Sequence, residues 1–452
     1  MEIKAEKIIC YSNENKDNKV QGIITQESDN TFLLKLESKD FNSIESFRHT
    51  KIINGEINGT KVCIHKFLML RYDSPAFNNK GIYQNEYKIY NFLSGLNCFD
   101  LNLLKFDKII CNYNYFDTWV KNFSFYAIPE EKHLEALSKT MFGAQKVDTY
   151  NVNDEFNVNI SVAGSGLFHF QENCDLYIEK ENATYDYLFE KAIKIGKLLS
   201  IFCSNTVELK SPIILMTNDK KSVATLEGKQ WIKEEKDIYS PFIINYDELK
   251  PYFDKILNNY FKSSDKIQLA VDMIHTSYYY SEAPGASINT FLSVTKAIES
   301  IYDSEMFNFS EKENEEKQKI KELIRNENVS CKIKDKLNNA LHGIHKIAFE
   351  ERLKQLFEDS RNNLSTKSQE SIPYLAKLIA DTRNFYTHLE KEDDTVIIEE
   401  TDLEVISLVL RIYCNIRLLK YLTDGFDNWE FSMKLMARNT LENYCMRTIK
   451  EE

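Results

Sequence analysis

The chain holds nine cysteines but no Cys-x-x-Cys pair. Cys10, Cys63, Cys98, Cys111, Cys174, Cys203, Cys331, Cys414 and Cys445 are odd in number and widely scattered. That pattern excludes a disulfide framework and a zinc knuckle, and reads as reduced intracellular thiols. An apolar leader is also missing, because the opening MEIKAEKIIC is charged. The greasiest segment, EVISLVLRIYCNIRLLKYL, is interrupted by Arg411 and Arg417, so it is expected to be a core helix and not a membrane span. These absences together lead to the expectation of a cytoplasmic protein. Positive charge is short as well. A formal charge of −12 argues against a bulk polyanion binder of the histone kind, while leaving room for one local basic groove. Arginine is scarcest of all at the start: two of the ten, Arg48 and Arg71, precede Arg325. The chain changes character before that point.

What is present fills in the two halves. At 452 residues the chain is too long for one compact core, and two or three domains are expected. KVQGIITQ, TFLLKLES, KIINGEI and TKVCIHKFLML alternate at strand period and are separated by Asn, Gly, Asp and Ser. Asn54-Gly55 and Asn58-Gly59 are hairpin signals. Further strands are expected at FSFYAI, FNVNISVAG, DLYIEKE and SPIILMT. Between them YDYLFEKAIKIGKLLSIFCS carries Leu188, Ala192, Ile195, Leu198 and Leu199 at helical spacing. The strands are expected to form either a sandwich or a helix-backed sheet. The polar LEGKQWIKEEKDIYSPF is the expected hinge.

From about Tyr246 onward the pattern is helical throughout, with Pro373 expected in the first turn of its helix. Two long helices are expected to close the chain, from Thr401 to about Asp424 and from about Trp429 to the end. The fold class expected is α+β: a β-rich region over 1–245, with a subdivision near 150–180, followed by an all-α bundle over 246–452.

Most chemistry-bearing clusters are weak. Cys63 and His65 share a strand face, and His342 and His345 lie i, i+3, but a tetrahedral metal site needs four ligands. Gly164-Ser165-Gly166 lacks the rest of a phosphate loop. Glu392, Asp393 and Asp394 read as a solvated turn before they read as a metal-dependent nuclease. No metal and no cofactor is expected.

DTRNFYTH, Asp381 to His388, is stronger. Arginine followed by histidine four to six residues later occurs by chance about half a time in such a chain; an asparagine after the arginine lowers that to roughly one in twenty. The segment also ends an amphipathic helix. Glu299 sits within the apolar stripe of INTFLSVTKAIESIY and needs a counter-charge, for which Arg383 is the obvious candidate. Asn384 and His388 lie i, i+4 on one face. Arg383 and His388 lie about 140° apart on an ideal helix. They converge only if the arginine reaches round or the helix ends before the histidine. From spacing alone, a buried Arg–Glu clamp with a capping histidine is an equal reading.

RNFYTH resembles the Arg-polar-x-x-x-His signature of HEPN ribonucleases, and FLSVTKAIESIY resembles their earlier helix with its acidic residue. GIITQESDNTFLLKL, IINGEINGTKVCIHKF and FHFQENCDLYIEKENATYDYLFEKAIKIGKLLSIF resemble the N-terminal region of ApeA-like abortive-infection proteins of bacteria. The resemblance implies paired helical bundles that cleave RNA without metal, using the 2′-hydroxyl as nucleophile. It implies His388 as general acid/base, Arg383 on the scissile phosphate, Asn384 orienting His388 or donating to a phosphate oxygen, Glu299 positioning Arg383, and Tyr386 stacking on a base or packing. Lys332, Lys334, Lys336, Lys346, Arg361 and Lys367 are candidate RNA contacts. The implied function is antiviral: a β-rich sensor region restrains a bundle that, on a phage-derived trigger, cuts host RNA, with tRNA the candidate. Some HEPN relatives partnered by nucleotidyltransferase antitoxins carry a tyrosine two residues after the histidine; here that residue is Glu390, which speaks against such regulation. The alternative is a non-catalytic HEPN-like module for dimerisation or nucleic-acid binding, with Arg383 and His388 structural.

Overall fold

The computed structural model of the chain describes residues 5–12, 19–27, 31–72, 81–97, 100–121, 146–165, 171–217, 223–228, 244, 246–281, 285–305, 311–326, 330, 333–334, 336–337, 348–361, 364–388, 396–425, 439 and 441–443. Two compact units emerge, Met1–Leu199 with Val207–Ser240, and Ser200–Thr206 with Pro241–Glu452.

Among the described residues the first unit holds twelve antiparallel strands. Six of them close a barrel: β1 Ala5–Ser12, β2 Lys19–Gln26, β3 Phe32–Ser38, β4 Ile53–Ile57, β5 Thr60–Tyr72 and β6 Tyr83–Ser94. They run in the order β3-β2-β1-β4-β5-β6, and β3 pairs back onto β6 from Phe32↔Ile89 to Ser38↔Tyr83. Closure removes the exposed edges that an open sheet would leave. The inward residues of alternate positions, among them Ile8, Cys10, Leu34, Leu36, Val62, Ile64 and Tyr87, make the barrel core. Helix α1, Phe41–Glu45, is capped by Asp40, which accepts from the Asn42 and Ser43 amides. It adds Ile44, and Phe47 just beyond it, to that core. Tyr87 donates to the Phe47 carbonyl at 3.2 Å and Asn85 to the Ile44 carbonyl at 3.1 Å, so the buried polar groups fasten the helical turn.

The two Asn-Gly pairs part company. Asn58 and Gly59 have φ of 49° and 82° and form the two-residue turn between β4 and β5, as their sequence predicts. Asn54-Gly55 lies inside β4 instead. A Cβ at Gly55 would stand 3.0 Å from the Ile9 carbonyl oxygen, so this glycine serves close strand approach and not a turn.

From β6 the sheet continues through β12 Val223–Gly228, β11 Leu209–Met216, β7 Lys105–Tyr113, β10 Gln171–Thr184, β9 Phe156–Ser165 and β8 Lys146–Val152. Helix α2, Phe116–Lys121, buries Trp119 in this unit. Helix α3, Tyr185–Cys203, is held by the Tyr113 hydroxyl, which donates to the Ala192 carbonyl at 2.7 Å. The region is therefore a barrel extended into a helix-backed sheet, where the sequence left a sandwich open. The expected strand FSFYAI and most of the expected hinge lie outside the described residues; LEG, its first three residues, ends β12.

The second unit is helical: α4 Tyr246–Leu249, α5 Phe253–Lys262, α6 Asp265–Ser281, α7 Ser287–Glu305, α8 Glu311–Asn326, α9 Phe349–Arg361, α10 Thr366–His388 and α11 Glu400–Leu422. Helix α7 packs against α6, α9, α10 and α11. Helix α11 is buried nearly all round, which explains its lack of a polar face. Its Arg411 is 7% exposed, lies 4.6 Å over the Tyr278 ring, and is paired with no carboxylate among the described residues. Pro373 lies inside α10, not in its first turn. The helix begins earlier, at a polar segment where Ser365 caps the Ser368 amide at 3.4 Å and its carbonyl accepts from Gln369 at 2.9 Å. The expected C-terminal helix from Trp429 lies almost wholly outside the described residues. Among the described residues no helix is long and apolar enough to cross a membrane.

Candidate active site

Two helices of the second unit bring the site together. Helix α7 presents Glu299, and α10 presents Arg383, Asn384 and His388 near its C-terminus. Arg383 Nη2 donates to Glu299 Oε1, and Arg383 Nη1 donates to Asn384 Oδ1 at 2.9 Å. The two charged side chains are 23% and 16% exposed, so the pair is shielded from water but not sealed from it. Two of the five guanidinium N–H groups are thereby engaged, and among the described residues the others have no further acceptor.

Three residues that the sequence did not single out complete this arrangement. The Arg383 guanidinium lies 5.6 Å over the Phe349 ring at the start of α9. Lys296, one turn before Glu299, bonds its other carboxylate oxygen at 3.2 Å; the i, i+3 spacing was the available signal. Arg352 donates to the Glu299 carbonyl at 3.0 Å and pairs with Asp303 at 2.9 Å. Its only signal was an arginine in an amphipathic helix. Glu299 is thus fixed at both ends, by Arg352 at its backbone and by Arg383 and Lys296 at its carboxylate.

Helix α10 continues through His388, so the arginine and histidine do not converge by the helix ending between them. Arg383 is turned toward α7, and His388 is exposed. Asn384 engages Arg383 and not His388 among the described residues. Tyr386 is half-buried, and burial raises its phenol above its ordinary pKa; its ring meets Phe385 edge-on at 5.1 Å.

The candidate RNA contacts fall elsewhere. Lys334 donates to the Arg325 carbonyl at 2.8 Å, and Lys336 and Lys367 are exposed. No described contact joins them to Arg383, Asn384 or His388. Lys332, Lys346 and the Arg361 side chain lie outside the described residues, as do His342, His345, Gly166, Glu390, Glu392, Asp393 and Asp394. Gly164 and Ser165 end β9. Cys63 is fully buried on β5, and burial pushes the His65 imidazole down to about 4. Among the described residues no three His, Cys, Asp or Glu side chains cluster as a metal site would require.

Comparison with protein families matches residues 292–428 to the Apea-like HEPN family and residues 9–260 to ApeA N-terminal domain 1. Neither the curated proteins nor the solved structures give a match to the chain. The HEPN match spans Glu299, Arg352 and Arg383, which build the polar seam of the second unit, and the exposed His388. HEPN domains are in general ribonucleases that form dimers and bind RNA. With its β-barrel region and its helical bundle both matched, the chain belongs to the ApeA-like family, with a C-terminal HEPN domain.

Proposed function

We propose that the chain is an abortive-infection endoribonuclease, with the helical unit as its catalytic part and the β-rich region as its sensor and restraint. The observation that carries this reading is the ion pair of Arg383 and Glu299, set one turn before an exposed His388. A guanidinium oriented by a carboxylate, with donors left over, is suited to gripping a phosphodiester and stabilising its developing charge. An exposed imidazole further along the same helix is suited to acid/base proton transfer.

The chemistry is transesterification. The 2′-oxygen of the substrate attacks the adjacent phosphorus and loses its proton to a base. The 5′-oxygen leaves with a proton from an acid. Products are a 2′,3′-cyclic phosphate and a 5′-hydroxyl, with no metal required. His388 serves as the acid/base, Arg383 binds the phosphate, Asn384 and Glu299 position Arg383, and Tyr386 supports the helix end. Because Arg383 is turned to α7 while His388 is exposed, a second copy of the bundle supplies the opposing half of the cleft. The substrate is host RNA, with tRNA the first candidate, and a phage-derived trigger releases the activity.

The experiment is cleavage of total tRNA by the full chain and by its His388→Ala variant. The second reading, a structural clamp in a non-catalytic bundle, is favoured by the same divergence of Arg383 and His388. It requires both proteins to be inert and Arg383→Ala to disturb folding or self-association.

A further inference from the structure

Helix α5 and the last turns of α11 enclose a surface cleft of about 420 Å³, lined by Asn259, Lys262, Ser263, Arg417, Lys420, Tyr421, Asp424 and Gly425. We propose that this cleft binds the sugar–phosphate backbone of single-stranded RNA. The proposal rests on the ribonuclease reading and deepens it by placing part of the substrate's path away from Arg383.

Charge is the first argument. On a chain of formal charge −12, this cleft is lined by Lys262, Arg417 and Lys420. Its single acid, Asp424, is already matched by Lys255 at 3.1 Å and by the Asn259 amide at 3.2 Å. Neither Lys262 nor Lys420 is in an ion pair among the described residues. A cation near a helix C-terminus is ordinarily explained by the helix dipole. That accounts for Lys262 on α5 and Lys420 on α11, each in its last turn. It does not account for the opening itself, which Arg417, a turn further back, also lines.

Shape is the second argument. The volume is at the small end of ligand-sized pockets, larger than one phosphate group needs. The wall is preformed. Asn259 donates to the Leu422 carbonyl at 2.8 Å, and the Gly425 amide to the Lys420 carbonyl at 2.8 Å, with Asp424 and Gly425 at φ of 53° and 83°. The Arg417 guanidinium lies 5.7 Å over the Tyr302 ring. Tyr421 stands 36% exposed at the rim, where an aromatic face can take a base. Cations on the backbone and an aromatic platform for bases are the two components of sequence-tolerant single-strand binding.

The test uses full-length protein carrying His388→Ala, so that RNA is not consumed, and a fluorescent twelve-nucleotide single strand followed by anisotropy across a salt series. Adding Lys262→Glu and Lys420→Glu is expected to weaken binding about tenfold or more at low salt and to flatten the slope of log affinity against log salt by about 1.4, two phosphate contacts' worth. Tyr421→Ala is expected to weaken binding about fivefold or more. Lys51→Glu with Lys61→Glu in the first unit is the charge-matched control and is expected to change little. The milder pair Lys262→Gln and Lys420→Gln, expected to act in the same direction, guards against misfolding of the reversed charges. RNA bound as tightly by the charge-reversed protein overturns the cleft and leaves the ribonuclease reading standing. Displacement by AMP as effective as by the strand overturns it in favour of a mononucleotide site. No RNA binding by the parent protein overturns both.

Discussion

Arg383 on α10 donates to the carboxylate of Glu299 on α7, across 84 residues of sequence. The carboxylate sets the direction of the guanidinium, Lys296 holds the carboxylate, and Arg352 holds the Glu299 backbone carbonyl. Removing Glu299 leaves a shielded guanidinium without its carboxylate, and removing Arg383 leaves that carboxylate with Lys296 alone. Glu299→Ala and Arg383→Ala are each expected to cost about 1–3 kcal/mol of stability. Their coupling in a double-mutant cycle, read by denaturant unfolding, is expected at about 1–2 kcal/mol. Glu299→Gln keeps the volume and loses the charge, and is expected to lower cleavage with a smaller loss of stability. Additive single effects would contradict the pairing.

His388 is exposed, and its substitution is expected to separate catalysis from folding. His388→Ala should lower the cleavage rate by about 10²–10⁴-fold. Its unfolding free energy should stay within about 0.5 kcal/mol of the parent, as for other surface changes. A large loss of stability would point instead to the clamp.

Arg352 behaves the other way. It is 5% exposed and joins Asp303 to the Glu299 carbonyl. Arg352→Ala is expected to destabilise the second unit by about 3 kcal/mol, because it takes the nearer of two cations from Asp303 and a donor from the Glu299 carbonyl. Lysine cannot reproduce the fork, so Arg352→Lys recovers part of that at most. Thermal unfolding of the two variants tests this.

His65 gives the pH dependence. Its imidazole is pushed down to about 4 by burial, below the unfolded value near 6.5. The unfolded chain therefore binds the extra proton first, and stability contributed by neutral His65 is present above about pH 6.5 and lost as pH falls toward 4. The span corresponds to about 3 kcal/mol. Replacing it with phenylalanine, which can keep the edge-on contact with Tyr185 at 5.4 Å, is expected to flatten the stability profile over that window.

Local signals in the sequence were legible, and distant pairings were not. RNFYTH lies within two turns of one helix, and Glu299 in an apolar stripe demands a counter-charge, which Arg383 supplies. Phe349 and Arg352 join the seam only because α9 packs against α7, which no spacing reveals. In the first unit, β2, β3 and β5 alternate clearly. β6 escaped notice because its inward face carries Asn85 and Tyr87, polar residues satisfied by carbonyls of the α1 turn. The closing pair β3–β6 joins segments some fifty residues apart, so the barrel has no local signature.

The most direct measurement is cleavage of total tRNA in EDTA by the full chain beside its His388→Ala variant, with the helical part from Asp247 onward run in parallel, and end-group analysis of the fragments. The account predicts fragments ending in 2′,3′-cyclic phosphate and 5′-hydroxyl from the active forms and none from His388→Ala. Cleavage that persists in His388→Ala, or that stops in EDTA and returns with a divalent ion, would contradict it.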